Sequence, residues 1–312
     1  MQEKKNIRSL ITLVTLLLLT VIVYSISQNS HKTITDPDIF QVKDYNTIDR
    51  IVLESPADTI SIGFDGTRWR INERYQADRQ MVDLLFATLQ QVKPRRPVAA
   101  AISDSIASRL KAAGVRVSIY TGNDLQKIFF AGGDSHKTQA YFMDPETAGV
   151  YVVGIPGYRV YASGIFELDK NEWRDKYVFA FNWRNFERME VTFPGKPAEN
   201  FAVAMHENFF GIEGISQTDT SRLNTFLDDV SLLTVAKYLN DSQISTDSLL
   251  REKAQMHIRV KDIGKREYSL AIYAEKRGRD QVPGLVNETQ VALFNQRSIR
   301  NILKPKSYFL LK

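Results

Sequence analysis

Four histidines, 36 carboxylates and no cysteine are the material for chemistry in this chain of 312 residues. Without cysteine there is no thiol nucleophile, thiolate metal site, disulfide or lipoprotein-type lipid anchor. His31, His136, His206 and His257 stand far apart in the sequence. None has a ligand-type partner three or four residues along a helix, the spacing that turns two side chains toward one metal. Asp134-Ser135-His136, after Gly132-Gly133, has the make-up of an acid–base or metal pair, but also of a polar hairpin loop, which is the expectation. His206-Glu207-Asn208 falls at an expected turn, and Asp228-Asp229 on the polar side of an expected helix. No Gly-Lys-Ser/Thr phosphate loop and no Gly-x-Ser-x-Gly elbow occurs. The expectation is therefore no catalytic, cofactor-binding or metal-binding residue, and a protein that is not an enzyme.

The residues suited to contact rather than catalysis are Arg95-Arg96 and Trp173-Arg174. The first pair suits lipid headgroups or a partner. The second lies in the charged stretch Glu172–Lys176, and Trp and Arg commonly anchor interfaces. The competing reading of Trp173 is a linker residue packed between domains. The net charge of +5 owes three of its positive charges to Lys4, Lys5 and Arg8. The rest is near neutral with both signs interspersed, which gives no reason to expect a nucleic-acid partner.

Residues 9–27 read SLITLVTLLLLTVIVYSIS without a charge. As a helix this run spans about 28 Å, the thickness of a bilayer's hydrocarbon core. The cations before it and the nearly uncharged residues after it predict a cytoplasmic N-terminus, with the bulk of the chain across the membrane. The run exceeds a signal-peptide core and no Ala-x-Ala follows, so a retained anchor is expected over cleavage. The segments are then a cytoplasmic tail 1–8, an anchor 9–27, a stalk 28–45 and folded units at 46–182 and 183–312. Among membranes, the bacterial inner membrane fits, with the bulk periplasmic.

The two units echo each other at an offset of about 141. Trp69-Arg70-Ile71 falls on Phe210-Gly211-Ile212, and Val82, Leu85, Phe86, Leu89 and Val92 fall on Leu223, Phe226, Leu227, Val230 and Leu233. Val115, Val117 and Ile119 fall on Met256, Ile258 and Val260; the opening strand matches at an offset of 138. Each unit reads as alternating strands, then a helix capped by Asp78 or Asp219, then more strands. In the first unit the helix should stop near Lys93-Pro94, with a second helix at 103–112 ended by Gly114. Strands follow near 115–121, 125–131, 139–143 and 149–154. The predicted class is α+β: an N-terminal transmembrane helix, then two similar units, each a mainly antiparallel sheet with helices on one face.

The strand TRWRI leading into Ala77-Asp78, the stretch KPRRPV, a later VYVV strand and LDKNEWRDKYVFAF together resemble the bacterial envelope family known as domain of unknown function 4340 (DUF4340). The family's short Arg-Asp-Lys element is matched by Glu172–Lys176. The likeness covers most of residues 45–190, and the second unit extends it. The family is similar to the exported part of gliding-motility-type ABC-transport auxiliary proteins and brings no catalytic residues to carry over. A single anchor in place of several spans points to an auxiliary role. The resemblance implies a non-enzymatic scaffold or auxiliary subunit bound to other envelope proteins. The alternative is an exported enzyme or ligand-binding domain acting on envelope glycan, which needs two convergent carboxylates.

If the anchor is retained, the mature protein fractionates with membranes and its N-terminus precedes residue 9. A soluble form starting near residue 26 would contradict the anchor.

Overall fold

The computed structural model describes residues 13–22, 36–42, 44–179, 184–206, 209–239, 246–275 and 280–311. Helix α1 covers residues 13–22, with Leu13, Val14, Leu16 and Leu17 exposed. The remainder of the apolar run and residues 28–35 lie outside the described residues. Among the described residues no helix is long and apolar enough to cross a membrane.

The chain divides into two compact units, Met1–Arg174 and Asp175–Lys312. The first is built on strands β1 (Arg50–Glu54), β2 (Thr59–Phe64), β3 (Trp69–Ile71), β4 (Tyr75–Gln76), β5 (Lys93–Pro97), β6 (Val115–Thr121), β7 (Asp124–Gly133), β8 (Ala140–Met143) and β9 (Val150–Gly154). Their order is β4-β3-β2-β1-β6-β7-β8-β9-β5. Helix α2 (Arg79–Gln91) and helix α3 (Ala100–Ala113) flank β5 in sequence. The second unit has β10 (Phe186–Thr192), β11 (Phe201–His206), β12 (Phe209–Ile212), helix α4 (Thr220–Ser231), β13 (Lys237–Tyr238), helix α5 (Thr246–Leu250), β14 (Met256–Asp262), β15 (Glu267–Ile272), β16 (Gln281–Val286), β17 (Gln290–Asn295) and helix α6 (Gln296–Ile302). Its order is β12-β11-β10-β14-β15-β16-β17-β13. The described ladders are antiparallel, so the class is α+β.

The two sheets match strand for strand in order, apart from β4. The registers match too. Ile51 faces Ile62 and Ile119, while Met189 faces Val203 and Val260. Val117 faces Phe129 as Ile258 faces Leu270. At the far edge Pro97 faces Tyr151 and Tyr238 faces Ala292. A one-residue slip would turn every inward side chain outward, so buried apolar faces hold these registers.

Local signals act as the residue types dictate. The Asp78 carboxylate accepts the Gln80 and Met81 amides and the Asp219 carboxylate accepts the Arg222 amide, capping α2 and α4. Helix α2 stops at Val92, ahead of Pro94. Helix α3 starts at Ala100, earlier than the expected 103, and ends at Gly114. Gly114 is needed for close approach: a Cβ there would lie 2.5 Å from the Leu110 oxygen and 2.9 Å from the Ala131 oxygen.

Two expectations are corrected. Helices cover both faces of the first sheet, not one. Val82, Leu85 and Leu89 of α2 pack with Phe129, Ala131 and Phe142, whereas Ile106 and Leu110 of α3 pack with Tyr141, Met143 and Val152. The reason lies in β7–β9, where consecutive residues such as Tyr141, Phe142 and Met143 are all buried, so both faces need cover. The unit boundary also falls earlier than 182/183. Val178 and Phe179 belong to the second core, and the Val178 amide donates to the Leu233 carbonyl.

Val82 and Leu223 occupy matching first-turn positions, at 1% and 0% exposure. Val82→Asp and Leu223→Asp should each lower stability by on the order of 3–5 kcal/mol, because each buries an unpaired charge. Urea unfolding of the two variants, read by circular dichroism, checks this.

Candidate functional site

The two units cover the same sheet face differently. In the first, α3 lies across it, and a Cβ on Gly132 would meet Leu110 at 2.6 Å. In the second, the corresponding span holds the five-residue α5, whose Leu249 is fully buried with Tyr273, Leu285 and Val291. Tyr273, 2% exposed, stands at the position corresponding to Gly132 and packs in the cluster around Leu249. Residues 240–245 lie outside the described residues.

What remains on that face, among the described residues, is a cleft of about 370 Å³ over β10, β14 and β15. Register arranges its lining in rows. Glu190, Arg259 and Ser269 stand side by side across three strands, and Thr192, His257, Ala271 and Leu285 form the next row. One row is polar, and the other grades from hydroxyl and imidazole to aliphatic. Leu250, 58% exposed, overhangs them. Arg259 lies 3.8 Å from Glu288, a solvent-exposed pair of small energetic weight. Partial burial pushes the His257 imidazole below its ordinary pKa, and Arg259 on the same strand pushes it further. His257 is then neutral at pH 7 and able both to donate and to accept. Its cross-strand neighbours are Thr192 and Ala271. The cleft thus has an apolar floor and a rim of both charges.

A second cleft, of about 400 Å³, lies in the first unit between the end of α3 and the β7–β8 loop. The Tyr161 hydroxyl donates to Glu167, and Lys137 lies 3.1 Å from the same carboxylate. Burial, then the bond to Glu167, pushes the Tyr161 phenol well above its usual range, so it stays protonated. Asp134 lines the cleft, but its carboxylate accepts the Thr138 amide and hydroxyl and the Gln139 amide. Those bonds, the Gln139 amide foremost, hold it at about 2. Asp134-Ser135-His136 is thus a hairpin loop pinned by its own aspartate, and none of the bonds at Asp134 goes to His136. Among the described residues no three metal-binding side chains converge.

Of the four contact residues expected from sequence, the structure separates two from two. Arg95 and Arg96 are exposed on edge strand β5. Trp173 and Arg174 are buried, and this corrects their reading as a surface anchor. Trp173 is 0% exposed within the first core, and its carbonyl accepts the Asp78 amide at the start of α2. Arg174 stacks on Tyr75 at 3.8 Å and donates to Asn171. The second unit closes the same way: the Phe309 carbonyl accepts the Asp219 amide, and Phe309 packs on Phe201 and Phe226. His257 and Arg259 went unremarked in the sequence as cleft residues. The signal was present, since placing Met256, Ile258 and Val260 inward turns 257 and 259 outward.

A family model described as domain of unknown function (DUF4340) matches residues 69–252, more than half of the chain and parts of both units. No curated protein and no solved structure matches.

Because Phe309 does in one unit what Trp173 does in the other, Trp173→Phe should keep most of the stability. Trp173→Ala should cost about 3–5 kcal/mol. Chemical denaturation of both variants checks this; a Trp173→Ala protein of unchanged stability would return Trp173 to the role of interface residue.

Proposed function

The chain belongs to the DUF4340 family of domains of unknown function, and from that premise we propose that it is a membrane-anchored, extracytoplasmic, non-enzymatic scaffold or auxiliary subunit of an envelope complex of ABC-transport type. In this reading residues 9–27 hold it in the bacterial inner membrane, the N-terminus is cytoplasmic and the two units are periplasmic. The uncharged run, the preceding Lys4, Lys5 and Arg8, and the exposed apolar side chains of α1 support the anchor.

One observation carries the binding role. Two units with the same strand order and register differ in the cover of one sheet face: the 14-residue α3 packs across it in the first, with a cleft only beside the end of the helix, and the five-residue α5 leaves a cleft floored by Ala271 and Leu285 in the second. A face built to take a helix invites a helix, so the partner segment is an amphipathic helix of another envelope protein. Helix-in-groove docking is a common mode of peptide recognition. The matching registers also support a duplication as the origin of the two units.

The alternative, an exported enzyme or ligand-binding domain acting on envelope glycan, is favoured by one observation. Asp134 and Glu167 line a single cleft beside a protonated Tyr161. Against it stands the full engagement of the Asp134 carboxylate by loop donors.

Leu250 and Arg259 are both exposed, so Leu250→Glu with Arg259→Glu should leave the fold intact. Isolated from host membranes beside the unaltered chain, this double variant should lose most of the proteins that co-purify. A folded double variant that keeps every one of them removes the cleft as the interface. Glu167→Gln should leave the same set unchanged; binding of envelope glycan by the unaltered chain, lost in Glu167→Gln, would favour the alternative.

A further inference from the structure

The first unit carries a second distinctive surface, at the edge opposite β4. Edge strand β5 reads Lys93-Pro94-Arg95-Arg96-Pro97, and it ends the sheet beside β9. Its register with β9 shifts between Pro94 and Arg96, which leaves Arg95 as the bulged residue. The Arg95 guanidinium lies over Gly154, where a Cβ would come within 2.4 Å of its Nε. Arg95 also donates to the Tyr158 carbonyl at 3.4 Å. It thereby joins the strand to the loop after β9, in which residues 156–160 are all exposed. That loop presents Tyr158 at 59% and Val160 at 53% exposure, with Arg159 between them. Among the described residues no carboxylate lies within salt-bridge distance of Arg95, Arg96 or Arg159.

Charged and proline-bearing edge strands are often explained by protection against edge-to-edge aggregation. That accounts for Pro94, Pro97 and the arginines of β5. It does not account for an exposed tyrosine and valine held beside them by one of those arginines. Cations alternating with an exposed aromatic and an exposed aliphatic side chain match an interface between anionic headgroups and acyl chains.

The path of the chain gives the direction. The described residues after α1 resume at Asp36, and Asp38 lies 3.7 Å from Lys93, at the start of β5. Gln41 donates to the carbonyls of Gln90 and Val92, immediately before that strand. The segment coming from the apolar run therefore arrives beside the basic edge. Residues 28–35 separate that run from the entry point, and even fully extended they reach no more than about 30 Å.

We propose that the β5 edge with the Tyr158–Val160 loop is a binding site for the anionic phospholipid surface of the membrane that holds the chain. The orientation rests on the anchored reading given above; the headgroup chemistry does not. Arg96 and Arg159 meet phosphates, and Tyr158 and Val160 enter the headgroup layer. The contact restricts how the first unit sits on its short tether, and salt weakens it because the attraction is screened.

The absence of cysteine makes a clean test available. The full-length chain carrying Pro156→Cys, in the loop, is labelled with a polarity-sensitive dye; Asn123→Cys, in the β6–β7 turn, is the control. Each is incorporated into vesicles of phosphatidylcholine alone or with about one third phosphatidylglycerol. Retention after alkaline extraction reads the anchor separately. The expected result is a blue shift at position 156 only in the anionic vesicles. Half-molar salt abolishes it, and Arg96→Glu with Arg159→Glu weakens it roughly tenfold or more. The label at 123 does not respond. A chain that resists alkali but gives the same emission in both vesicles overturns the headgroup site and leaves the anchor standing. A chain stripped by alkali that still shifts in anionic vesicles does the reverse.

Discussion

Each unit is closed by one aromatic side chain and one backbone hydrogen bond. The terminal segment of the first unit brings Trp173 into the core and places its carbonyl on the Asp78 amide. In the second, Phe309 and the Asp219 amide repeat the arrangement. The bond ties the end of a unit to the start of its main helix, where amides lack intrahelical partners. The aromatic fills the space left between helix and sheet. In a chain without disulfides, a contact that joins residues 95 positions apart in one unit and 90 in the other ties the end of each unit to its core. Everything else, from the registers to the exposed clefts, presumes that closure.

On that common frame the units diverge where cover is concerned. Gly132 lets α3 come down onto the first sheet; Tyr273 at the corresponding position in the second packs against Leu249 of α5. The shorter α5 and the larger side chain at 273 go together with a cleft lined by His257 and Arg259 on that face. Two units with the same strand order can differ in the cover of one face in this way. The charged edge of β5 lies where the chain enters the first unit.

Much of this architecture is legible in the residues. Alternating Ile51, Leu53 and Ile60, Ile62 can only be strands with one buried face, and Asp78 and Asp219 can cap helices because their carboxylates reach free amides. The offset of 141 between the units is equally visible, because burial constrains side chains at fixed spacing and so gives units of the same strand order the same apolar rhythm. The lack of a thiol was also plain, and with it the exclusion of disulfide and thiolate chemistry.

Other features required the folded chain. That KPRRP is a strand, and an edge strand, depends on β9 standing beside it; proline spacing alone signals only the end of a helix. Trp173-Arg174 looks from sequence like an exposed anchor, because aromatic and charged neighbours occur in both settings. Only the return of the chain to Asp78 buries it. The second covered face was hidden because Tyr141, Phe142 and Met143 form a continuous apolar run, whose period does not say which neighbour takes each side. The cleft in the second unit and the meeting of Arg95 with Tyr158 join residues dozens of positions apart. Local sequence determines which face a side chain takes, and long-range packing decides what that face meets.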